Sequence, residues 1–143
     1  MGIFLSGGLD SSAVAYYAQR ASTQKIKTFG IGFDDKSYDE SGYAKQVATL
    51  LGTDHFESRL TGADALSVVP GIAKMLDEPL ADYSFIPTLL LSQFTKKHVT
   101  VALGGDGADE LFFGYGTLQA EQLLKIIPPA VLLPILKAVR VVT

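Results

Sequence analysis

Short apolar runs alternate with longer stretches of helical periodicity along this chain. Residues 2–5 (GIFL) form an apolar run ending in a glycine-rich turn, and residues 10–21 (DSSAVAYYAQRA) follow with alanine-rich helical character. Asp10 and Ser11 fall at the expected helix start, where side-chain oxygens can cap free amides. Residues 26–33 (IKTFGIGF) read as a strand. Residues 39–52 read as a helix with Tyr43, Val47, Leu50 and Leu51 at i, i+4, i+7 and i+8, and Gly52 as its stop. Residues 54–59 predict a short strand. Residues 63–76 predict a helix that Pro70 and Gly71 interrupt. Residues 85–97 predict a further helix, and 99–103 (VTVAL) a buried strand running into GGDGADELFFGYG. The order β-α-β-α-β-α-α-β-α, with strands of near-continuous apolar character, predicts a parallel sheet covered by helices on both faces.

The 143 residues suit one domain. Hydrophobic residues at 48% and charged residues at 19% place the chain among globular proteins rather than disordered ones. A net charge of −3 argues against non-specific nucleic-acid binding, which needs clustered Lys and Arg. No cysteine is present, which removes disulfides, thiolate zinc sites and a thiol nucleophile. No apolar run approaches the roughly 20 residues of a membrane helix, and the start MGIFLSGG lacks the basic region of a signal peptide. A cytoplasmic protein with no nucleic-acid or membrane partner is therefore expected. Residues 123–143 differ from the rest, with three prolines, three basic residues and no acid. They read as a packing segment, since the prolines break any long amphipathic face. The division expected is an α/β core over 1–116 and the start of a helical part of the same domain over 117–143. Both ends read as cut, so the chain is expected to be an excerpt of a longer protein.

The sharpest chemical signal is SGGLDSS, residues 6–12, between an apolar strand and a helix. Gly7 and Gly8 let the backbone turn tightly and approach a ligand closely. The amides that follow leave a helix N-terminus, where the backbone carries partial positive charge. Ser6, Ser11 and Ser12 add hydroxyl donors, so the string suits a phosphate. Asp10 would repel a bare phosphate, but makes sense if a divalent cation bridges the two. The loop lacks the GK[ST] of a Walker A motif and is not GxGxxG. It suits chemistry at an α-phosphate with pyrophosphate as leaving group.

GGDGADE, residues 104–110, follows the strand VTVAL. Ligands in open parallel sheets bind beyond the carboxyl ends of the strands, so both glycine-rich loops are expected at one edge. If ADELFF opens a helix, Asp106 and Asp109 can share a face. Two carboxylates from two loops could hold one Mg²⁺, leaving a third to handle a proton or position a substrate. Asp77, Glu78 and Asp82 surround Pro79 in a loop that either lines an amine pocket or is an ordinary solvated turn. His55 and His98 suit surface or packing roles.

SGGLDSS, TFGIGFDD with YDESGYAKQVATLLGTDHFE, DEPLADYSFIPT and VTVALGGDGADELFFGY together resemble the synthetase domain of glutamine-hydrolysing asparagine synthetases, in order over residues 3–115. The branch also includes β-lactam synthetases. The resemblance implies a parallel α/β fold of the adenine-nucleotide α-hydrolase type. It implies activation of an aspartate carboxylate by ATP to β-aspartyl-AMP and pyrophosphate, followed by displacement of AMP by ammonia. It places pyrophosphate on Ser6, Gly7, Gly8, Asp10, Ser11 and Ser12, and adenosine along Phe4, Ile31, Gly104 and Gly105, with Leu5 completing the ATP-binding set. It implies Mg²⁺ on Asp10 and Asp109, and Asp106 acting near the aspartyl-AMP intermediate. Many family members carry Glu at the position of Asp106. Full-length members begin with a glutaminase domain whose N-terminal cysteine releases ammonia; with no cysteine, this chain cannot act in that way. The family's catalytic lysine, in its helical C-terminal part, has no safe match in Lys125 or Lys137. The expectation is an ATP- and Mg²⁺-binding part of a ligase with little turnover by itself. A homodimer through the apolar C-terminal segment, another amide-forming ligase and a non-catalytic nucleotide-sensing module stay open.

Overall fold

The computed structural model describes residues 1–116 together with 121, 122, 131 and 134. Residues Met1–Gly105 form one compact unit, and the residues from Asp106 onward belong to a second. The helical part expected over 117–143 lies almost wholly outside the described residues.

The first unit holds strands β1 (Gly2–Phe4), β2 (Lys27–Phe33), β3 (Asp54–Leu60) and β4 (Ala102–Leu103). Its helices are α1 (Leu9–Ala21), α2 (Ser41–Leu51), α3 (Gly62–Ile72) and α4 (Phe85–Lys96). The strands form a parallel sheet in the order β3-β2-β1-β4. This is the architecture expected, since parallel neighbours need helical crossovers between them. The expected buried strand over 99–103 shrinks to two residues. β4 pairs with β1 at the sheet's edge, and Val101 and Leu103 are 55% and 40% exposed.

Alternation along the strands sends side chains to two faces. Ile3 and Leu5 pack with Ala15 of α1 and with Ala44 and Ala48 of α2. On the other face, Phe29 is fully buried and stacks on Phe56 with ring centroids 5.4 Å apart, while Phe94 of α4 meets it edge-on at 6.1 Å. His98 closes this aromatic cluster 4.5 Å from Phe56, so its role is packing.

α2 corrects the expected stripe. The residues turned inward are Ala44, Val47, Ala48 and Leu51, whereas Tyr43 and Leu50 are 65% and 85% exposed. Small residues let this helix lie close to the rest of the unit. Its stop is as expected: Gly52 takes φ +69 and donates its N–H to the carbonyls of Ala48 and Thr49. α3 opens with a capping box between Thr61 and Asp64 and runs through Pro70 to Ile72, short of the expected 76. Among the described residues no helix is long and apolar enough to cross a membrane.

Candidate functional site: a phosphate-type loop and an acidic loop

The loop after β1 enters α1 without a side-chain cap. The helix starts at Leu9 with Gly8 as N-cap, and among the described residues no side chain bonds its first amides. Asp10 and Ser11 therefore lie inside the first turn and do not cap it, contrary to the expectation from sequence. Ser11 turns back instead. Its Oγ lies 3.0 Å from Ser6 Oγ, accepts from Ser6 N at 3.3 Å and donates to the Gly8 carbonyl at 3.3 Å. Ser6 Oγ accepts from Gly8 N at 3.2 Å. The two serines lock the turn, while the start of α1 keeps its amide dipoles uncapped. Ser12 Oγ is buried with no hydrogen-bond partner among the described residues.

The two glycines of the loop differ. Gly7 has φ +87, and a Cβ there would fall 2.6 Å from Ala44 N and from Tyr43 Cβ. Its bareness serves the fit against α2. Gly8 has φ −68, and a Cβ there would meet only Ser6 Oγ at 3.3 Å. Gly105 is the third close approach. A Cβ on it would lie 2.9 Å from Ser11 N and 3.1 Å from Asp10 Cβ, so the end of the segment after β4 packs on the first turn of α1. The structure thus gathers Ser6, Gly7, Gly8, Asp10, Ser11, Ser12 and Gly105 at the carboxyl end of β1.

Phe4 is half-buried at the end of β1, in register with Phe29, and Ile31 lies two residues further along β2 on the same face. Gly104 directly follows β4. Leu5 is 2% exposed, so its side chain belongs to the core and only its backbone borders the loop.

In the second unit, α5 (Ala108–Phe112) begins after Gly107 at φ +88. Asp106 therefore stands two residues ahead of the helix and does not share its face with Asp109. Asp109 accepts Gly114 N at its carbonyl at 3.0 Å, and a Cβ on Gly114 would collide with the Asp109 carboxylate. Phe113, between them, takes a left-handed φ of +58, which costs a bulky residue energy. Glu110 accepts a 2.7 Å bond from the Tyr115 hydroxyl. That bond holds the Glu110 carboxyl below its ordinary value, and it raises Tyr115, with the charges of Glu110, Asp109 and Asp106 adding to the rise. A carboxylate so engaged is poorly placed to carry protons. Neither Gly114 nor Tyr115 stood out in the sequence, although a tyrosine five residues past an acid on a short helix is a usable signal. Among the described residues, no group of three or more His, Cys, Asp or Glu could hold a metal ion.

Asp77, Glu78 and Asp82 lie in an exposed loop. Asp82 accepts from Ser84 N and Oγ at 2.8 and 2.7 Å, just ahead of α4.

The asparagine synthase family model matches residues 1–137 of the chain. The chain belongs to the asparagine synthase family. It is 39% identical over 125 residues to asparagine synthetase [glutamine-hydrolyzing] 1 of Bacillus subtilis, covering 87% of this chain and 20% of that protein. It is 42% identical over 118 residues to a putative asparagine synthetase [glutamine-hydrolyzing] 2 of Methanocaldococcus jannaschii, covering 82% of this chain and 23% of that protein. The chain thus spans about a fifth of the length of the curated relatives it matches. Among solved structures it is similar to NMN synthetase from Francisella tularensis, with TM-score 0.53 and 18% identity over 79% of this chain and 48% of that one. It is also similar to the NH3-dependent NAD synthetase from Campylobacter jejuni, with TM-score 0.51 and 20% identity over 80% of this chain and 51% of that one. At these identities the likeness shows the fold, the Rossmann-like α/β arrangement read from the sequence.

Proposed function

We propose that this chain is the ATP-binding part of an ATP-dependent amide-forming ligase that makes asparagine from aspartate. One observation carries the reading: an α1 N-terminus with no side-chain cap among the described residues, entered through the Ser6–Gly8 turn, with Gly105 packed against its first turn. Family membership supplies the reaction class. In the first step an aspartate carboxylate oxygen bonds to the α-phosphorus while the bond from that phosphorus to the bridging oxygen breaks. Pyrophosphate leaves with that electron pair, held by the loop amides and serine hydroxyls. In the second step ammonia forms the carbon–nitrogen bond, AMP departs, and the surplus proton of the amine is lost to solvent or a base. Phe4, Leu5, Ile31, Gly104 and Gly105 would border the adenosine, and Asp106 would act near the aspartyl-AMP.

Asp10, in the first turn of α1, carries a hard carboxylate oxygen of the kind Mg²⁺ takes beside phosphate oxygens. Asp109 is the second carboxylate that the family resemblance implies for the ion. When bound, the ion neutralises phosphate charge. In the longer protein, ammonia would come from a glutaminase part, as the relatives' names suggest.

Calorimetric titration of Mg-ATP, beside Asp10→Ala and a magnesium-free control, tests the reading. Binding that weakens in both controls supports it. Binding indifferent to both favours a nucleotide-sensing module. A folded chain that binds no ATP refutes the claim that these residues suffice for the nucleotide.

A further inference from the structure

Beneath the phosphate-type loop, on the face covered by α2, three polar side chains sit between β2 and β3. Thr53 Oγ1 lies 3.4 Å from the Ala48 carbonyl oxygen and 2.9 Å from Thr28 Oγ1. Thr28, fully buried, lies 3.0 Å from His55 Nδ1. The two hydroxyls and the ring form one hydrogen-bonded chain, along which donation can run in either direction. His55 Nε2 is buried and has no hydrogen-bond partner among the described residues.

The bare nitrogen lies beside Gly30. The place a Cβ of residue 30 would take is bracketed by the Leu5 carbonyl at 3.2 Å and by His55 Cε1 and Nε2 at 3.3 and 3.5 Å. Leu5 N is tied to the Phe29 carbonyl at 2.8 Å, and Leu5 leads directly into Ser6. We propose that neutral His55 is a positioning residue for the phosphate-type loop: with Gly30, its ring forms the floor on which the Leu5 backbone is seated. Its importance for nucleotide binding rests on the function proposed above; the seating does not.

A charge on this ring would be buried without a described acceptor at Nε2. Burial favours the neutral ring and pushes its pKa below 6.5; Glu57 on β3 opposes this and Lys45 on α2 reinforces it. The stability the neutral ring confers is full above the ordinary histidine value and is lost as pH falls below it.

The test is amide NMR of the full chain between pH 7.5 and 5.5, without nucleotide. The Leu5–Ser12 amides should shift with the same midpoint as the His55 ring. His55→Asn keeps a hydrogen-bonding group for Thr28 and does not titrate, so it should abolish the shift. His55→Phe should displace the loop at every pH. Loop amides that ignore the ring's titration, or that respond equally in His55→Asn, would overturn the proposal. Wild-type titration alone decides the matter if either variant fails to fold. Mg-ATP affinity should fall more steeply with acid in wild type than in His55→Asn. If the chain binds no ATP, the proposed function fails while the loop shifts still judge the seating.

Discussion

Replacing Gly7 and Gly8 with alanine, one at a time, separates two uses of glycine within one loop. At Gly7 the new Cβ falls 2.6 Å from Ala44 N and from Tyr43 Cβ, on a backbone at φ +87. The left-handed backbone costs alanine about 1–2 kcal/mol. Overpacking against α2 adds about 1–3 kcal/mol, because backbone atoms at Tyr43 and Ala44 cannot swing aside. Reduced freedom of the unfolded chain returns about 0.4–1 kcal/mol. The net loss is on the order of 2–4 kcal/mol, a large share of the ~5–15 kcal/mol that holds a domain together. At Gly8 the backbone is ordinary, φ −68 and ψ 165, and the new Cβ meets one movable hydroxyl at 3.3 Å. Alanine there should change stability by less than about 1 kcal/mol. Urea unfolding followed by circular dichroism checks both. With a slope near 2 kcal/mol/M, Gly7→Ala should lower the midpoint by about 1–2 M and Gly8→Ala by less than about 0.5 M. Equal midpoints for the two variants would refute the assignment of Gly7 to the α2 contact.

Gly105→Ala places a Cβ 2.9 Å from Ser11 N; at about 1–3 kcal/mol of crowding, Mg-ATP affinity by calorimetry should drop roughly 5- to 150-fold. Asp10→Asn should cost about 10–100-fold in magnesium-dependent ATP affinity, and the loss should vanish when binding is measured without the metal. Thr61→Val removes the 2.6 Å bond from Thr61 Oγ1 to Asp64 Oδ2 and the Asp64 N–H bond to Thr61. The Thr61 hydroxyl, then its backbone N–H, hold the Asp64 carboxyl below its ordinary 3.8 against a small opposing effect of burial. Stability from that depression is present above 3.8 and is lost as pH falls through the lower folded value. Melting temperatures between pH 5 and 2.5 should therefore decline less steeply in Thr61→Val than in wild type.

Element order and fold class were legible because each depends on composition over many residues. The apolar runs at 2–5 and 26–33, with the short polar segment 54–59 set between helical stretches, gave the strands, and parallel pairing followed from the alternation. What stayed hidden depends on single contacts across the sheet. Hydropathy chose Tyr43 and Leu50 for the inner face of α2, but the fit of Gly7 against that helix gave the place to Ala44 and Ala48. A small residue is the better inward choice wherever backbones approach this closely, and periodicity weighted by hydrophobicity cannot see that. The serines show the same limit. Ser11 has the composition of a cap, but one turn of geometry sends its hydroxyl back to Ser6 and Gly8. An N-cap serine would have satisfied the amides of α1 from within the chain. Because Ser11 bonds the turn instead, the loop is stiffened and the amides stay available, which is the arrangement a phosphate-binding loop requires.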